Sequence, residues 1–257
     1  MATRRRPVDL IIHHCIISRG LRRALRLKLV CKPFRASFER TLFPTRVLDD
    51  AKWGHHFREA RWGLRKHNGA TVLWHDYLVF RCRARSKSSE PALWWAGKMR
   101  SVLDSLIRYH RRVQSQAQDD TARDTDEMLE KLCWVVINGC KTGCEGWEYL
   151  GEEHTGPHNL GLSTLSAATY FGYASLAREL LDQDSSMDPT KRDGLFHSPM
   201  YIAARTGQAD MLQLLQGRLP EFEHGTPNGP RLNWRSKLGP GSLRGACVRG
   251  DLDMVRL

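Results

Sequence analysis

The sequence predicts an all-α fold, a helical N-terminal region followed by a stack of helix pairs. Two observations carry that prediction. The first is internal repetition. The segment LSTLSAATYFGYASLARELL from Leu162 returns as HSPMYIAARTGQADMLQLL from His197 and, cut short, as GSLRGACVRGDLDMVRL from Gly241. Self-similarity of this kind marks small units that bury their faces against one another. The second is apolar spacing. Leu176, Leu180 and Leu181 in one copy are matched by Met211, Leu212, Leu214 and Leu215 in the next, and by Leu252, Met254 and Val255 in the third. Apolar positions at i, i+3 and i+4 give each helix one sticky face.

Alignment of the copies justifies each element in turn. Ser163, Ser198 and Gly241 open the units, and Leu165, Met200 and Leu243 follow two residues later. Small residues Ala168, Ala203 and Ala246 fall where two helices would touch closely. Gly172, Gly207 and Gly250 come next, separated by 35 and 43 residues. A glycine after a short apolar run ends a helix in the left-handed conformation without a side-chain penalty. The longer second separation holds EFEHGTPNGPRLNWRSK, a Gly/Pro-rich stretch expected to form a projecting loop.

The second copy, with Ser198, Pro199, Met200, Tyr201, Ala203, Ala204, Gly207, Leu214 and Leu215, resembles the T-P-L-H-x-A-A-x-x-G…L-L pattern of the ankyrin repeat. The first copy keeps Leu165, Ala168, Gly172, Leu180 and Leu181 but has Thr164 at the proline. The third keeps Leu243, Ala246, Gly250 and Leu257, with Ser242 at the proline and Gly245 inside its first helix. The resemblance covers residues 159–257 and implies an ankyrin-type helical-hairpin solenoid that binds a protein partner. Its implied partner-facing positions include Tyr170, Tyr173, Arg205, Gln208, Asp210, Arg249 and Asp251, at turn tips and on inner helices. The sequence stops at Leu257, within the second helix of the third unit, so the reading expects a fragment with a truncated last unit.

Residues 1–50 carry another signal. Pro7, Leu10, Ile11 and Ile12 open an apolar run that Leu21, Leu25, Leu27, Leu29, Val30, Phe34 and Phe38 continue. The stretch LRLKLVCKPFRASFERTLF, with Leu27, Val30, Cys31, Lys32, Phe34 and Arg35 in register, resembles the second half of an F-box. Arg6 stands where a leucine is usual, and Pro33 falls inside the helix pattern. The resemblance implies that Pro7, Leu10, Leu27, Val30 and Phe34 contact a Skp-type adaptor of a cullin ubiquitin ligase. With the repeats, the chain is similar to fungal F-box/ankyrin-containing proteins.

Residues 51–158 read as a helical region with breaks near Gly69 and at 83–91, and a polar linker at 114–127. A helix over roughly 124–138 is expected from Met128, Leu129, Leu132, Val135 and Val136. With the Trp147–Leu150 run it would make a degenerate repeat capping the stack.

Charge and composition narrow the function classes. Residues 1–112 hold 26 Lys and Arg against 8 acids, while residues 113–257 hold 14 against 20. That asymmetry keeps a basic nucleic-acid-binding role open, although no nucleic-acid motif accompanies it. No apolar run of about 18 residues is present, so no membrane partner is expected. Seven cysteines without framework spacing suit reduced thiols, hence a cytoplasmic or nuclear location. Cys140, Cys144, His154 and His158 approach a Cys2His2 pattern, but Gly156-Pro157 interrupts the histidine pair and no metal ligand is assigned. P-loop, G-x-S-x-G, H-E-x-x-H and dinucleotide signatures are missing, so neither catalysis nor a cofactor is expected. The leading expectation is a protein–protein interaction scaffold. The alternative is an F-box-type substrate receptor, and nucleic-acid binding stands third.

Overall fold

The computed structural model describes residues 10–12, 14–15, 26, 32, 37–38, 41–44, 68–84, 94–113, 121–142, 159–193, 195–219 and 235–256. It is all-α: no strand occurs among the described residues. Residues 1–84 with 147–153 form one compact unit, and residues 85–146 with 154–257 form the other.

The first unit is organised around α1 (Asn68–Arg83). Tyr77, Leu78 and Val79 are consecutive and all buried, so α1 is enclosed on more than one face. Arg81 and Arg83 in its last turn complement the negative end of the helix dipole. From the N-terminal segment, Ile12, Phe38 and Leu42 are also buried. The Phe43 ring lies 5.6 Å from Tyr77 and 5.5 Å from Phe80. α1 starts at Asn68, beside the expected break at Gly69, and residues 45–67 before it lie outside the described residues.

The second unit contains α2 (Trp94–Val113), α3 (Thr121–Thr142), α4 (Leu160–Phe171), α5 (Ala174–Gln183), α6 (Pro199–Thr206), α7 (Ala209–Gln216), α8 (Arg235–Arg249) and α9 (Leu252–Arg256). Consecutive helices pair as α2–α3, α4–α5, α6–α7 and α8–α9. The first helices contact one another in sequence, α2 on α4, α4 on α6 and α6 on α8, and α5 touches α7. Buried Trp95, Met99, Val102, Leu106 and Tyr109 line one face of α2 at helical spacing. In α3 the stripe Met128, Leu129, Leu132, Val135 and Val136 is buried.

Three expectations shift here. α3 begins at Thr121, so much of the expected linker at 114–127 is helix. Its pairing partner is α2, while the Trp147–Leu150 run lies outside the described residues. Residues 235–237 of the expected loop belong to α8, which starts at Arg235 and carries Gly239-Pro240 within it, while 221–234 lie outside the described residues. Gly and Pro oppose a helix interior there, Pro by about 3 kcal/mol; α8 nevertheless forms and, from Gly241 on, packs against α6.

The same closure is built at each repeat turn. Gly172, Gly207 and Gly250 have φ of 74°, 77° and 76°, the left-handed region that a Cβ disfavours. The next residue's N–H returns to the aligned alanine carbonyl: Tyr173 to Ala168 at 2.9 Å, Gln208 to Ala203 at 3.0 Å, Asp251 to Ala246 at 3.2 Å. This six-to-one bond is the Schellman closure, and it satisfies a carbonyl the ending helix would otherwise orphan. Only two residues separate the first helix from the second, so the pair folds back tightly.

Helix starts are likewise capped. Asn159 Oδ1 accepts from Leu162 N at 2.9 Å. Ser198 Oγ accepts from Tyr201 N at 3.3 Å, with Pro199 at the first helical position.

Close approach of the first helices explains Gly245. A Cβ built on Gly245 would lie 2.7 Å from the Tyr201 carbonyl oxygen and 3.1 Å from Arg205 N, both backbone atoms of α6. Ala203, Ala204 and Ala246 are buried in the core cluster with Leu165, Leu181, Met200, Leu212 and Leu215. Leu180 and Leu214 pack against that cluster from its edge. Between α5 and α6 the chain is fastened from α2: Lys98 Nζ donates to Asp193 Oδ1 at 2.5 Å, their side chains 6% and 5% exposed. The other carboxylate oxygen of Asp193 is buried without a partner.

Two stability predictions follow from this packing. Gly245→Ala should lower the melting temperature, whereas Gly97→Ala, also inside a helix but with open space at its Cβ, should stabilise by up to about 1 kcal/mol. Ala203→Leu should destabilise by about 1–3 kcal/mol through overpacking. Gly245→Ala and Gly97→Ala shifts of the same sign would refute the close approach. For the buried ion pair, Lys98→Met should cost about 3–5 kcal/mol in denaturant unfolding. Adding Asp193→Leu should recover most of that loss. A double variant no better than the single one would show that the pair is not the cause.

Candidate interaction surface

A helix buried on every side offers nothing to a partner, and the middle of α4 is of that kind. Every residue from Leu162 to Thr169 is buried. Its polar side chains are small hydroxyls that bond back to their own helix. Thr164 Oγ1 donates to Leu160 O and Thr169 Oγ1 to Leu165 O, each at 2.8 Å. Ser166 Oγ instead reaches out of the helix to His197 O at 3.0 Å. Pro199 to Ala204 of α6 are buried as well. The inner-helix surface is therefore closed along these two stretches, whereas in α8 Leu243 and Val248 are exposed; further exposed positions lie at the edge formed by the glycine turns.

Along that edge, side chains of one unit clasp the backbone of the unit before. Gln208 Nε2 donates to Tyr170 O at 3.2 Å. One unit on, an Arg249 guanidinium nitrogen donates to Thr206 O at 2.7 Å. Both acceptors are carbonyls at a helix C-terminus, which have no intrahelical donor. At the α4–α5 turn the Tyr173 ring packs 5.2 Å from Tyr109 and 5.7 Å from Phe171. Its hydroxyl lies 3.3 Å from His110 Nδ1. Burial pushes the Tyr173 phenol above its ordinary pKa, the largest cause, against a smaller lowering by Lys131. His110 Nε2 is also 4.0 Å from Asp124 of α3. Arg112 reaches Glu179 of α5 at 2.9 Å, both partly exposed.

The residues read as partner-facing thus differ in their freedom. Asp210 is exposed in the first turn of α7. Arg205 stacks over the Tyr201 ring at 5.9 Å and donates to its hydroxyl at 3.2 Å. Gln208 and Arg249 are engaged as clasps, and Tyr173 sits half-buried in the aromatic group. Asp251 caps α9, its Oδ1 accepting from Met254 N at 3.1 Å. That backbone bond, followed by the Arg249 contact, holds its carboxyl below the usual range.

Of the adaptor-facing set, Leu10 is 51% exposed and its neighbour Ile11 is 56% exposed. Pro7, Leu27, Val30 and Phe34 lie outside the described residues. Cys140 lies on α3, while Cys144, His154 and His158 also fall outside them. Among the described residues no cluster of three metal-ligating side chains occurs. No described helix is long and apolar enough to cross a membrane.

Sequence reasoning missed the Lys98–Asp193 pair and the His110–Tyr173 contact. The partners lie 95 and 63 residues apart, and no local pattern marks either. No family model, curated protein or solved structure matches the chain.

The depressed carboxyl of Asp251 sets a pH dependence. A lowered folded-state pKa contributes stability that is present above the unfolded value and lost as pH falls through the folded one. Protection of the Met254 amide should therefore decline on acidification through the carboxylate range. Asp251→Asn should retain the cap and flatten that dependence, because Asn caps about as well as Asp. An unchanged acid dependence in the Asn variant would assign it to another group.

Proposed function

We propose that this chain is a protein–protein interaction scaffold whose C-terminal helix pairs are ankyrin-like repeats. The observation that carries the reading is the threefold glycine closure. Three turns with one backbone geometry, each bonded to the aligned alanine, are what a repeat array requires. The Ser198-Pro199 start of α6, with its side-chain cap, adds to it. Since α4 and α6 are closed over Leu162–Thr169 and Pro199–Ala204, the partner engages the turn edge, where Asp210 is exposed. A photo-crosslinking residue placed at Asp210 and, as a control, at Lys131 on the polar side of α3 tests this in cell extract. A discrete adduct from position 210 alone is the expected result. Identical adducts from both positions, or none, would reject the turn edge as the binding face.

The second reading makes the chain an F-box-type substrate receptor, the N-terminal box holding a Skp-type adaptor while the repeats select a client. The favouring observation is the adjacent exposure of Leu10 and Ile11, apolar side chains that a partner would cover. Copurification with a Skp-type adaptor, in wild-type form and with Leu29→Ala plus Phe34→Ala, decides it. Binding that the double variant abolishes is the expected result for a receptor. Failure of the wild-type chain to bind would leave the scaffold reading alone. Nucleic-acid binding rests only on the basic residues 1–112 and would appear as affinity falling steeply with salt.

A further inference from the structure

We draw no further inference here: the strongest candidate, the outward apolar face of α8 and α9 carrying Leu243, Val248, Leu252 and Val255, is unpartnered and nothing in the structure shows what covers it.

Discussion

The left-handed glycine between paired helices is the constraint on which the second unit depends. A residue at φ near 75° reverses the chain within two residues, and only then can both helices of a pair present apolar faces to the same core. The closing bond to Ala168, Ala203 or Ala246 ties that reversal to the first helix. The small side chain and the glycine are thus one device. The alanine lets the next helix approach, and its carbonyl receives the turn.

Tight approach has consequences for polar chemistry. Once α4 is enclosed, any polar side chain on it must find a partner within reach, because an unmade buried bond costs about 1–3 kcal/mol. Serine and threonine answer this economically by bonding to carbonyls one turn back, as Thr164 and Thr169 do. The turn edge solves the related problem of helix-end carbonyls by borrowing a side chain from the following unit. Gln208 and Arg249 are different residue types with the same duty. Polarity along this edge is therefore partly structural, and polar character alone is a poor guide to the partner-binding residues.

The buried Lys98–Asp193 pair stands apart from the apolar logic. Two charges removed from water are weak evidence of stability, since desolvation offsets much of their attraction. The pair fastens the segment between α5 and α6 to the N-terminal end of α2, while Tyr173 meets the C-terminal part of the same helix. Contacts at both ends align α2 with α4, running from the inter-pair segment toward the glycine turns. The helix pair α2–α3 in this way takes its place ahead of the repeat-like pairs.

Much of this was legible in the sequence because it depends on local rules. Glycines 35 and 43 residues apart, alanines four residues before them and apolar positions at helical spacing are periodic signals. They require only that each helix have one face and one end. The stripe on α3 was readable for the same reason, and so was the start of α6 from Ser198-Pro199. What only the tertiary structure decided depends on distant neighbours. Gly245 reads as a defect within a helix until its contact with the Tyr201 carbonyl is known. Gln208 and Tyr173 read as free polar tips until Tyr170 and His110 are placed beside them. α8 extends back to Arg235 against the Gly-Pro signal, and only the structure shows that its later turns lie against α6. Periodicity records the demands a helix makes of its own residues, while burial and partnership are set by which other segments come to lie against it.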